Sequence, residues 1–246
     1  LFSDFYVVVP GSELERIEAI LRQTPFITEH DSVVFMDEQQ LLPQGGKIEP
    51  WWSKYALQMA IKLLVSSLIR TEYYLTLDAD ILCSKAGLSV EDLLPLGKGN
   101  YVPEARQVHP MWWYASAKTL GVEESPLGEG FGVTPAVLST VGSMLTLQRL
   151  REVHGSDDFL NRMFDGFAQT PEKCWSEYTL YRTALDHFGA FDVLHALGPT
   201  TLIGDSVWYS EDFKTWNATA ALNDRTAAFV VVQSTTRVGA SVVRKL

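Results

Sequence analysis

Runs of β-branched and aromatic residues alternate along this chain with stretches whose apolar positions recur at helical spacing. Phe5–Val9 (FYVVV) has the pattern of a buried strand and is stopped by Pro10-Gly11. Ser12 with Glu15 three residues later predicts a capping box for a helix reaching about Arg22. Ser32–Met36 (SVVFM) predicts a second strand, and residues 38–50, polar with Gly45-Gly46 and Pro50, predict a loop. Over Trp51–Arg70 the apolar positions (Tyr55, Met59, the stem of Lys62, Leu63) predict one long helix. Glu72–Leu77 (EYYLTL) predicts a third strand that ends at Asp78-Ala79-Asp80. Asn100–Pro103 reads as a further strand ahead of the aromatic stretch HPMWWY. Thr134-Pro135 reads as a helix start, with Thr as cap and Pro in first position. Ser156 and Ser176 read as caps of two more helices, and Phe229–Val232 as a late strand.

Strand–helix alternation of this kind predicts an α/β fold, here one domain over residues 1–246 with a mainly parallel central sheet flanked by helices. In such sheets ligands sit outside the carboxyl ends of the strands. Those ends are Pro10, Asp37 and Asp78-Ala79-Asp80.

Composition narrows the classes of function. With 46% hydrophobic and 20% charged residues the chain can bury a sizeable core. Twenty Lys and Arg against 30 Asp and Glu give a net charge of −10, which opposes non-specific nucleic-acid binding. Two cysteines, Cys83 and Cys174, exclude a disulfide scaffold and a four-cysteine zinc site. The longest apolar stretch, Ala60–Ile69, is interrupted by Lys62 and two serines, so no membrane span is expected. The chain begins at Leu1 rather than Met, so a preceding segment is expected to have been removed. The compartment, cytoplasmic or luminal, stays open, and the sequon Asn217-Ala218-Thr219 matters only in a secretory lumen.

Asp78 and Asp80 carry the sharpest chemistry. Residues two apart in extended chain point to one side, so both carboxylates can face one point. Two carboxylates held together repel unless a proton or a cation sits between them. Their hard oxygens suit Mg²⁺ or Mn²⁺, with phosphate oxygens completing the shell. The plain alternative is a capping Asp78 beside a solvated Asp80.

The segment YYLTLDADILC, preceded by WWSKYALQMAIKLLVSSLIR, resembles the GT-A-fold glycosyltransferases that use nucleotide-sugar donors, and the order of elements agrees over about residues 5–181. The resemblance implies a nucleotide-binding half over about residues 1–105 and an acceptor-side half over about 106–246. It implies transfer of a sugar from a nucleotide-diphosphate donor, UDP favoured, to a glycan or other hydroxyl acceptor, with Mn²⁺ or Mg²⁺ held by Asp78 and Asp80. Pro10, Asp37 and Ala79 then fall at donor-contacting places, and Glu129 and Gly130, within GEGFGV, at the wall between donor sugar and acceptor. It further implies that the acid opening the helix in WSEYTLY, Glu177, meets the acceptor and in inverting enzymes is the general base. Asp158, with Asp157, is the competing acid.

Other residues are read from the chain itself. Lys54, near a helix start, suits the diphosphate or a hold on Asp78; a solvated lysine is the alternative. Arg106 and His109 are weaker candidates for that work. Trp112 and Trp113, like Trp51 and Trp52, offer faces for sugar rings or fill the core; in an extended segment one of each pair points outward. Tyr178 with Tyr181 would stand beside Glu177 as an aromatic wall. His187 and His195 are open candidates for a third metal ligand. Two other classes fit parts of the pattern. A non-catalytic carbohydrate-binding module would use the tryptophans without the acids. A haloacid-dehalogenase-type phosphatase also places DxD at a strand end, but there the motif ends the first strand, whereas here about 70 residues precede it. Ile203-Gly204-Asp205 could imitate that class's downstream acid, with Tyr209 where the second acid is expected.

Overall fold

The computed structural model describes residues 2–23, 32–43, 46–124, 128–155, 159–169 and 175–238. The first unit is strand β1 (Phe5–Val9), helix α1 (Leu14–Arg22) and strand β2 (Val33–Asp37), paired in parallel from Phe5 opposite Val33 to Val9 opposite Asp37. The helix ends where expected, but Ser12 forms no capping box. A 3₁₀ turn at Gly11–Glu13 leads into α1, and Glu13, at the cap position, pairs with Arg16 instead. The expected loop after β2 contains a 3₁₀ turn, Glu38–Leu41, capped by Asp37, whose Oδ1 accepts from the Gln39 amide at 3.0 Å.

Helix α2 (Lys54–Leu64) is shorter than predicted: the Ser53 side chain caps its start and a 3₁₀ turn at Val65–Ser67 ends it. Next come β3 (Tyr73–Thr76), β4 (Ile81–Cys83), α3 (Val90–Leu93), β5 (Pro103–Ala105) and α4 (Pro110–Leu120). They are followed by β6 (Glu129–Phe131), β7 (Ala136–Ser139), α5 (Thr140–His154), α6 (Phe159–Gln169) and α7 (Glu177–His187). The chain closes with α8 (Phe191–Leu194), β8 (Thr201–Ile203), α9 (Ala218–Leu222) and β9 (Ala227–Val231).

The fold is mixed α/β. Parallel pairing joins β1 to β2 and β8 to β9, whereas β3 with β7, β4 with β9 and β5 with β6 are antiparallel. Among the described residues these pairings form four small sheets rather than one continuous sheet. Thr134-Pro135 precedes a strand, not a helix: Ala136–Ser139 is buried along its whole length against Tyr73–Thr76, and Ser139 then caps α5 through the Gly142 amide. Four consecutive buried side chains suit a strand covered on both faces. Pro110–Tyr114 of HPMWWY lie in α4, with His109 at its cap position, so the two tryptophans diverge by a helical step instead of alternating across a strand.

One hydrophobic cluster runs from Leu41 to Phe191 and includes Leu63 of α2, Leu138 of β7, Leu150 of α5 and Leu180 of α7, all fully buried. Val8 and Met36 attach β1 and β2 to it. A second cluster joins Leu93, Val137, Leu202, Ala228 and Phe229. Helix α7 is the axis of the larger one. It is buried at Glu177–Tyr181 and Thr183–Leu185 and packs against α2, α4, α5 and β6. Burial on most of its circumference, polar Glu177, Thr179 and Thr183 included, places it inside the fold.

Candidate active site at the end of strand β3

The strand that carries the acidic pair is followed directly by Leu77 and Asp78. Asp78 Oδ1 accepts from Nζ of Lys62, in α2, at 2.7 Å and from Nε2 of Gln58 at 3.0 Å. Gln58 and Lys62 lie four residues apart and so share one face of that helix. The same Nζ stands 2.7 Å from Oε1 of Glu177 and 3.3 Å from the Tyr178 hydroxyl. Side-chain exposure is 11% for Lys62, 25% for Asp78 and 5% for Glu177, so the acids meet across a nearly buried ammonium. Burial opposes that charge, but Tyr178, Glu177 and Asp78 outweigh it and hold Lys62 well above the usual lysine range.

A hydrogen-bond chain backs the cluster. Thr76 donates to the Ala136 carbonyl at 3.1 Å, and its hydroxyl lies 3.0 Å from that of Tyr178. A hydroxyl has one proton, so Tyr178 donates to Thr76 and accepts from Lys62. Burial, with the nearby carboxylates Glu177 and Asp78, pushes the Tyr178 phenol up to about 12 against the pull of Lys62. Glu177 opens α7 because Ser176 caps it, accepting from the Thr179 amide.

Asp80 is held from the other end of the chain. Its Oδ2 accepts from the Ser234 amide at 2.8 Å, and its carbonyl accepts from Val232 at 3.1 Å. Among the described residues, Oδ2 of Asp78 and Oδ1 of Asp80 carry no hydrogen bond, so each carboxylate keeps one oxygen for a ligand. No group of three His, Cys, Asp or Glu side chains able to hold a metal occurs among the described residues. The donor set therefore fits a divalent cation only when phosphate oxygens or waters fill the remaining positions.

The other candidates scatter. Pro10 is exposed, and Asp37 caps its turn close to Gly11. Lys54 is exposed at the start of α2, where its charge bears on Glu38, whose carboxyl burial and Asp37 push up. No hydrogen bond or ion pair joins these residues to Asp78 among the described residues; Lys62, one turn after Gln58, takes the hold that the sequence offered to Lys54. Ala79 is exposed between the acids. Trp113 is buried, with the Arg106 guanidinium 4.4 Å from its ring centre, while the half-buried Trp112 stacks on His109 at 3.9 Å. Trp52 is buried and Trp51 is 45% exposed. Glu129 accepts from the Tyr101 hydroxyl at 2.5 Å, and Gly130 lies so close to Trp113 that a Cβ would fall 2.4 Å from its ring. Tyr178 is in the core. His195 is buried against Tyr181, and His187 is exposed at the far end of α7. A cleft of about 500 Å³ opens at that far end, between Arg106, Val122, Thr183, Asp186 and His187. Asp157 and Asp158 lie outside the described residues.

The sequence pattern does not mark Lys62, Gln58, Thr76 or Ser234 as site residues. A lysine inside an otherwise buried helical stripe was the available signal, since a buried ammonium requires a carboxylate partner.

A family profile matches residues 1–246, the whole chain, and its description is a family of unknown function, DUF6492. The chain belongs to the DUF6492 family. No curated protein matches this DUF6492 chain. No helix among the described residues is long and apolar enough to cross a membrane.

Proposed function

We propose that this DUF6492 chain is a GT-A-like glycosyltransferase, moving a sugar from a nucleotide-diphosphate donor, UDP favoured, to a hydroxyl acceptor with the help of Mn²⁺ or Mg²⁺. The observation that carries this reading is the convergence, around Lys62, of the acid at the end of β3 with the acid that opens α7, 115 residues apart from Lys62. A donor-side carboxylate and an acceptor-side carboxylate within one ion-pair cluster suit an inverting glycosyl transfer between two substrates.

In this reading the free oxygens of Asp78 and Asp80 would hold the cation, which would offset negative charge on the leaving nucleotide. Ser234 and Gln58 orient the two carboxylates. Glu177, anchored through Oε1, directs its other oxygen to the acceptor hydroxyl and takes its proton as the hydroxyl oxygen bonds to the anomeric carbon and the nucleotide diphosphate leaves. Asp37, at the end of β2, lines the base-and-ribose end, and Lys54, at the start of α2, serves the diphosphate.

Isothermal titration with UDP- and GDP-sugars, with and without Mn²⁺, tests the proposal. Metal-dependent binding of one donor class is expected, together with slow donor hydrolysis that stops in EDTA. Binding that ignores the metal, or no binding of any nucleotide sugar, overturns it.

A further inference from the structure

We infer that Lys62 is the positioning residue of this site: it fixes Asp78 and Glu177 relative to one another and contacts no substrate itself. The inference rests on the transferase reading above. An ammonium has three N–H donors. All three have protein partners within reach: Asp78 Oδ1, Glu177 Oε1 and the Tyr178 hydroxyl. None is left for a phosphate. The ammonium is nearly buried, and its ring contact with Tyr178, 5.2 Å to the centroid, is internal too.

Position along the helix explains the division of labour. Lys54 stands exposed at the first turn of α2, near Glu38. Gln58 and Lys62 follow at one-turn intervals and both engage the same oxygen of Asp78. The two donors hold Oδ1 inward, and the other oxygen remains for the ligand. Lys62 does the same for Glu177 through Oε1. A single side chain thus sets the separation of a donor-side and an acceptor-side carboxylate that come from distant parts of the chain.

Charge supports the same role. Three carboxylates, Asp78, Asp80 and Glu177, less one ammonium leave a formal charge of −2. A site of that sign repels a bare diphosphate and accepts one whose charge a divalent cation has already covered. A lysine acting on phosphate would have to leave both acids to reach it.

Two double-mutant cycles test the inference, one through each acid. Mn²⁺ with UDP is the binding probe, and donor hydrolysis or transfer gives kcat and KM. Lys62→Met is expected to weaken Mn²⁺–UDP binding about 10–100-fold, the usual cost of losing a residue that orients a metal ligand. In an Asp78→Asn background the same change should alter affinity by less than about 3-fold, because the interaction is already gone. Likewise Lys62→Met should lower kcat in the wild type but not in Glu177→Gln. Lys62→Arg, which keeps the charge, should recover part of kcat. A Lys62→Met effect of equal size in the Asp78→Asn background overturns the inference, because it would show direct contact with phosphate. So does an equal kcat loss in the Glu177→Gln background.

Thermal unfolding supplies a readout free of any ligand. Lys62→Met/Glu177→Gln should melt above Lys62→Met, since it removes the buried acid left uncompensated. If Lys62→Met alone does not fold, the comparisons within the Asp78→Asn and Glu177→Gln backgrounds still decide the matter. Wild-type protein that neither binds Mn²⁺–UDP nor hydrolyses any donor overturns the transferase reading instead, and the unfolding cycle then decides whether Lys62 is the shared counter-ion.

Discussion

The Tyr181 hydroxyl lies 2.8 Å from Nε2 of His195, whose Nδ1 lies 3.0 Å from the Gly99 carbonyl. The carbonyl can only accept, so Nδ1 carries the proton, Nε2 accepts from Tyr181, and the buried ring is neutral. Burial holds the His195 pKa down to about 4, with the Gly99 carbonyl opposing and the Arg182 charge assisting. In the unfolded chain it returns to about 6.5. Between these values the unfolded state binds the extra proton. Stability is therefore complete above about pH 6.5 and falls as pH drops toward 4, by on the order of 3 kcal/mol across the window. Urea unfolding at pH 7.5, 5.5 and 4.5 should show that slope, and His195→Gln should flatten it. A wild-type profile without slope over this range contradicts the assignment.

Gly142, in the first turn of α5, leaves room for the same tyrosine. A Cβ there would stand 2.6 Å from the Tyr181 oxygen. Gly142→Ala is expected to cost about 1–3 kcal/mol, the usual range for overpacking, despite alanine's better helix propensity. Chemical denaturation measures it. An unchanged or raised midpoint would mean that the tyrosine moves aside freely.

Asp80→Asn should weaken Mn²⁺–UDP binding at least about 10-fold and leave the fold intact, since the Ser234 amide can still donate to the side-chain oxygen. Calorimetry gives the affinity and circular dichroism the fold. Equal affinity in wild type and variant would remove Asp80 from the metal site.

Glu177→Gln should lower kcat about 10²–10⁴-fold with donor affinity little changed, the signature of a lost general base. Steady-state transfer assays check this. Near-normal turnover in Glu177→Gln together with a dead Asp158→Asn would give the role to the other acid.

What could be read from the sequence was local. The capping serine at 176 and the strand ahead of Asp78 each depend on a few neighbouring residues, and they stand as expected. The pattern places Lys62 on a helix with its stem in the core, which is half of its role. Its head finds Glu177 only after the chain has folded. Tyr55, counted in the same apolar stripe, is instead 58% exposed. Thr134-Pro135 has the local chemistry of a helix start, yet Ala136–Ser139 gains more as a covered strand beside Tyr73–Thr76. Strand alternation does not govern the paired tryptophans: Trp112 and Trp113 lie on a helix, and Trp51 and Trp52 in the turn ahead of α2. In each case tertiary burial decided between local options of similar merit.

Helix α7 is clamped at both ends and in the middle. Lys62 holds Glu177 at one end, the Ser139 amide donates to Tyr181 at 3.0 Å, and Arg106 grips Asp186 near the other. The helix is thus a keyed shaft about 16 Å long, and its angular setting is dictated by these grips. One inserted residue between Glu177 and Tyr181 would rotate the acid by about 100° away from its ammonium while leaving every other grip engaged. The number of residues between Glu177 and Tyr181 is therefore fixed by the aim of a single carboxylate.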